Sequence, residues 1–162
     1  MKMSFAALGA LVLTGAIATT AIGDANHEAE AAKAAVKARQ SQMQLYAFNI
    51  GLLGGMAKGA IDYDAAAAGK AASNLASLSR LDQSRMWPPS SDNFELGDDV
   101  TAALPGIWAA DSDVMAKGMA LVEAAAAMEQ AAGGGLAALQ GAIGGLGKSC
   151  GGCHKAYRQP ED

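Results

Sequence analysis

Large β-forming side chains are scarce in this sequence. Phe, Trp and Tyr together make up 5% of the 162 residues, and Val and Ile are thinly spread, so the material of a packed sheet is missing. Basic clusters are missing too. Lys and Arg number 12 against 16 Asp and Glu, a formal charge of −4, which leaves no basic stripe for a phosphate backbone and excludes nucleic acid as a partner. The two cysteines and one of the two histidines fall within residues 150–154, and no proline interrupts residues 27–58. What is plentiful is Ala and Gly. A chain that is 51% apolar and dominated by small residues reads as one all-α domain with a real core.

The amino terminus is organised differently from the rest. Lys2 precedes an apolar run from Phe5 to about Ala18, followed by small and hydroxylated residues before Asp24, the layout of a secretory signal peptide over residues 1–23. Cleavage is expected after Gly23 or Ala25, leaving residues 24–162 as the mature domain. An uncleaved anchor is the alternative for so long a run. Loss of Lys2 leaves eleven basic residues against sixteen acidic ones, so the mature protein is read as acidic, exported to the periplasm and free of stable membrane insertion.

Four helical segments are expected. From His27 to about Lys58, Arg39, Met43, Ala47, Ile50 and Gly54 recur at steps of three and four and line one face. Asp62 and Asp64 are N-cap candidates for a second helix striped by Ala71, Leu75, Leu78 and Leu81, which must end before Trp87-Pro88-Pro89. Residues 86–102 read as a long loop. A third helix is expected to open at Pro105 and run through Ile107, Val114, Gly118, Leu121, Ala125 and Met128 to the Gly133-Gly134-Gly135 break. The fourth, Leu136 to Arg158, carries a seam of Leu136, Leu139, Ile143, Leu146, Cys150, Cys153 and Tyr157. Short connections make antiparallel neighbours, hence a four-helix bundle. Gly51, Gly54, Gly55 and Gly59 cost about 1 kcal/mol each in a helix interior, which points to close approach of a cofactor face or another helix.

Cys150-Gly-Gly-Cys153-His154 is a C-x-x-C-H motif, the attachment signature of a c-type haem. Thiols at i and i+3 share a helix face and can form two thioethers, while His154 offers an imidazole nitrogen to the iron. The competing chemistries are a thiol-disulfide oxidoreductase using Cys150 and Cys153, a plain disulfide, and zinc. The first should follow a strand and begin a helix, the second closes a very small loop, and the third has only His27 beyond the cluster.

At RQSQM (39–43), AKG followed by YDAAAA (57–68), the Trp-containing loop, GIW (106–108) and KSCGGCHKAYR (148–158) the chain resembles the class II c-type cytochromes, and within them cytochrome c′. The resemblance spans the mature chain and implies an antiparallel four-helix bundle with one haem c attached through Cys150 and Cys153. It implies His154 as proximal iron ligand and Met43 facing the sixth position from the first helix. Arg39 then reaches the haem edge to pair with a propionate, and the Arg39-Gln40 pair is similar to the c′ branch. Trp87 resembles the loop aromatic packed beside the haem, and burial of a large ring explains it equally. Arg158 flanks the proximal pocket in the family, or serves as a cation near a helix C-terminus.

Two functions follow from the resemblance. With Met43 as packing, a five-coordinate iron takes part in electron transfer and binds nitric oxide or carbon monoxide. With Met43 as sixth ligand, the protein is a low-spin electron carrier. Neither turns over a substrate, so no enzyme activity is expected. Family members commonly dimerise through the first two helices, which implies a homodimer. No residue pattern identifies the redox partner.

Overall fold

The computed structural model describes residues 18–160, with side chains described from residue 26 on; the signal-peptide reading and its cleavage point fall outside that set. Among the described residues there is no strand, only an isolated bridge pairing Ala103 with Arg158. Helix α1 runs Ala18–Ala57, unbroken because the stretch lacks proline and is rich in Ala, Lys, Glu and Gln. Its end is a Schellman turn. Ala60 N–H donates to Gly55 O at 2.9 Å and Gly59 N–H to Met56 O at 3.1 Å, with Gly59 at φ 73°, a conformation that glycine adopts without penalty.

Helix α2, Ala65–Ser79, begins where Asp64 accepts from Ala67 N–H at 2.7 Å, the N-cap expected of one of the two aspartates. Helix α3 is a single turn, Asn93–Leu96, inside the segment read as loop. Asp92 caps it by accepting from Phe94 N–H at 2.9 Å and Glu95 N–H at 3.0 Å. Helices α4, Val114–Ala131, and α5, Leu136–Tyr157, complete the bundle.

The third helix expected from Pro105 is two elements. Pro105–Trp108 is a 3₁₀ turn, and Ala109 at φ −66° and ψ 150° leaves the helical region before α4 starts. Leu136, assigned to the α5 seam, is 38% exposed, and Leu81, assigned to the α2 stripe, is 50% exposed because α2 has already ended. The glycine cluster of α1 does not mark an approaching helix within the chain. A Cβ at Gly51 or Gly54 would meet nothing within 4 Å, whereas one at Gly55 would strike the side chain of Ile61 in the connection that follows.

Each long helix touches two others, in the ring α1, α2, α4, α5 and back to α1. Inside it Leu53, Leu75, Met128, Leu139 and Leu146 are fully buried beside Ala68, Ala72, Ala76, Ala125 and Ala132. Each large side chain stabilises by about 1.5–3 kcal/mol relative to exposure, and the alanines let the helices approach closely.

The glycine break between α4 and α5 is fastened by Tyr63. Its hydroxyl donates to Ala132 O at 2.8 Å and accepts from Gly135 N–H at 2.9 Å. Tyr63→Phe should therefore lower stability by about 1–2 kcal/mol, read as a lower urea midpoint with an unchanged slope.

Candidate functional site

Between α1 and α5 the core gives way to a cavity of about 470 Å³. All eight residues singled out in the sequence line it: Arg39, Gln40 and Met43 from α1, Trp87 from the loop, Cys150, Cys153 and His154 from α5, and Arg158 just beyond it. The volume falls in the range of small-molecule and cofactor sites. Residues that the sequence reading passed over also border it, notably Tyr46, Thr101 and Lys117. Tyr46 was within reach of the helical period, three residues after Met43. Thr101 was not, because its position depends on the fold of the loop.

Cys150 and Cys153 are half-buried and unbridged. They sit within α5, far from its N-terminus, so no helix dipole activates them. Burial pushes both thiols up from their ordinary value, with Lys117 pulling Cys153 partly back. That direction is the opposite of what a thiol-disulfide oxidoreductase needs at its nucleophile. Among the described residues no group of three or more His, Cys, Asp and Glu side chains could hold a metal ion. His154 lines the cavity from an exposed position on the next step of the helix.

Arg39 is 3% exposed and its fork is turned into the loop. One terminal nitrogen donates to Met86 O at 3.2 Å and Ser91 Oγ at 2.8 Å. The other donates to Thr101 Oγ1 at 3.0 Å and to Ser91 O. The guanidinium carbon lies 4.6 Å from the centre of the Trp87 ring, a cation–π contact. Burial lowers the Arg39 pKa and Asp92 opposes the shift. The two terminal nitrogens of Arg39 thus serve the loop, while the residue also lines the cavity. Gln40 adds a bond to Val100 O at 2.9 Å. Trp87 packs at 6.4 Å and 49° against Trp108, whose Nε1–H donates to Trp87 O at 3.2 Å.

The far rim is built by the end of α5. Leu104 N–H donates to Tyr157 O at 2.9 Å and Gln159 N–H to Ala102 O at 2.8 Å. The Tyr157 hydroxyl donates to Asp113 Oδ1 at 2.6 Å and accepts from Asp113 N–H at 2.9 Å and from Ser112 Oγ at 3.1 Å. That bond, with Lys117 at 3.2 Å, holds the Asp113 carboxyl below the usual carboxylate range. The start of α4 is tied in this way to the haem-motif helix.

A helical bundle with two half-buried thiols and a histidine bordering one apolar cavity defines a class, the covalent haem bundles. The Cytochrome C′ family matches residues 34–158, and the chain belongs to that family. It is 45% identical over 126 residues to cytochrome c-554 of Cereibacter sphaeroides, covering 78% of this chain and 81% of that one. A solved cytochrome c′ from Rhodobacter spheriodes superposes with a TM-score of 0.76 at 40% identity, over 80% of this chain and 98% of its own. A nitric oxide complex of a variant cytochrome c prime from Alcaligenes xylosoxidans gives 0.69 at 31% identity, over 80% and 97%. The family carries covalently attached haem c. The cavity fits it, since the chain's two cysteines, the attachment points, both open onto an apolar space.

Tyr46 sets a pH dependence. Burial foremost, then Cys150, pushes its hydroxyl up from 10.0 to about 12, so the neutral phenol favours the folded chain. That contribution is complete below pH 10 and is lost as pH rises toward 12. The urea midpoint should fall across that interval, and Tyr46→Phe should flatten the part of the fall that this hydroxyl causes.

Proposed function

We propose that the protein is a periplasmic monohaem cytochrome in which His154 is the proximal iron ligand and the side facing α1 is open. The observation that carries this reading is one cavity bordered by the C-x-x-C-H helix and by Arg39, Gln40 and Met43 of α1. Haem c held there would supply one-electron iron chemistry and a metal able to take small ligands. The chain's residues hold it: Cys150 and Cys153 as thioethers, His154 on the iron, Trp87 and Arg39 closing the loop side, and Arg158 on the rim. The function is electron transfer, binding of nitric oxide or other small gases, or both, without substrate turnover. The nitric oxide complex of the Alcaligenes xylosoxidans relative supports the gas-binding part.

A second reading takes Met43 as sixth ligand and the protein as a plain electron carrier. Its support is the presence of Met43 on the cavity wall. A thioether on an apolar helix face more often packs than ligates. Optical and spin-resonance spectra of the ferric and ferrous protein decide between them. High-spin ferric iron and uptake of carbon monoxide are expected; a sulfur-to-iron charge-transfer band with no uptake overturns the proposal. Haem mass that survives denaturation would be the covalent signature, whereas two free or bridged thiols would point to thiol chemistry.

We also propose that the protein is a homodimer through α1 and α2. Leu45 is 50% and Phe48 77% exposed on α1, and Gly51 one turn on leaves open space for a facing helix. Among the described residues no helix is long and apolar enough to cross a membrane. Phe48→Asp is expected to convert a sedimenting dimer into monomer with the haem spectrum intact.

A further inference from the structure

Tyr46 stands on the α1 wall of the cavity between Met43 and Ile50, and Gln42, one turn before it, is its polar neighbour. Gln42 is 4% and Tyr46 5% exposed, and Tyr46 borders the cavity. The amide nitrogen of Gln42 donates to Leu78 O at 2.9 Å and to the Tyr46 hydroxyl at 3.4 Å. The carbonyl of Leu78 fixes which amide atom is nitrogen, so the Tyr46 oxygen is an acceptor in this pair and its own proton is left over. Gln42 Oε1 is buried without a partner. Among the described residues no acceptor for the Tyr46 O–H exists.

Neighbouring hydroxyls are committed. Ser79 Oγ donates to Ala76 O at 2.9 Å, Ser149 Oγ to Leu146 O at 2.8 Å, and Tyr157 to Asp113. Thr101 Oγ1 receives both Arg39 and Ala103 N–H and belongs to the loop network. A buried donor without an acceptor is a cost that native structures rarely carry without cause. Here the donor sits beside open volume, one helical turn from Met43 on the same face of α1.

We propose that the Tyr46 hydroxyl, steadied by Gln42, is the hydrogen-bond donor for a small polar ligand held on the α1 side of the cavity, and so sets which diatomic the site retains. The inference rests on the open-coordination reading above. Distal donors of this kind decide the fate of a bound diatomic in haem pockets. Removing a neutral donor should speed ligand loss by about three- to tenfold, while the shape of Phe preserves the wall.

The test is the infrared stretch and dissociation rate of carbon monoxide bound to the ferrous holoprotein, in the wild type and in Tyr46→Phe. A donor lowers the C–O frequency, so the band should rise in Tyr46→Phe and dissociation should quicken. Transfer of the wild type into heavy water needs no variant: the band should move there and stay fixed in Tyr46→Phe. An unchanged band and rate, with no response to heavy water, overturns the proposal. The same pair on a Met43→Ala background separates the two failures. If only that background takes up carbon monoxide, the open-coordination reading has failed, and the Tyr46 comparison there still decides whether this hydroxyl is the donor.

Discussion

The guanidinium of Arg39 is the joint between the regular and irregular halves of the molecule. It is a cation withdrawn from water, and no carboxylate is paired with it among the salt bridges of the described residues. Such a group persists in a fold only when its hydrogens are satisfied. Ser91, Met86 and Thr101 satisfy them from a segment that has little core of its own. The loop thereby acquires a fixed course over the helices, and Trp87 is held against the charge it helps to shield. One wall of the cofactor cavity exists because this cation needs acceptors.

The opposite wall obeys a different constraint. α5 must present Cys150, Cys153 and His154 together, and a helix does so only if it stays regular through several glycines that weaken it. Regularity comes from outside the helix. Leu139 and Leu146 anchor it in the core, Tyr63 fixes the turn before it, and the Tyr157 hydroxyl fastens its last turn to α4. The motif is thus held at both ends by tyrosine hydroxyls bonded to backbone or to Asp113.

The helix types and the motif were legible because both depend on neighbours in sequence. The three-and-four stepping toward Cys150, the N-cap at Asp64 and the break at Gly133 to Gly135 all reappear in the fold. The division of the third helix was not legible. It turns on the extended Ala109 and on a bond from Tyr157 to residues 44 and 45 positions earlier. The partners of Arg39 lie up to 62 residues away, so the residue was readable as part of the cavity but its latch was not. α3 was hidden for a related reason: Asp92 caps only one turn, too short for any periodicity to show.

The place of the motif in the order of elements has a kinetic side. A chain made from its amino end yields α1, α2, the loop and α4 before Cys150, so most of the ring can be in contact while α5 is still absent. The last segment to arrive closes the bundle and carries the thiols with it. Closure and cofactor capture therefore compete for the same stretch of polypeptide. Glycines on the open faces of that helix make it less stable than an alanine helix would be, so its regularity depends on the closed bundle.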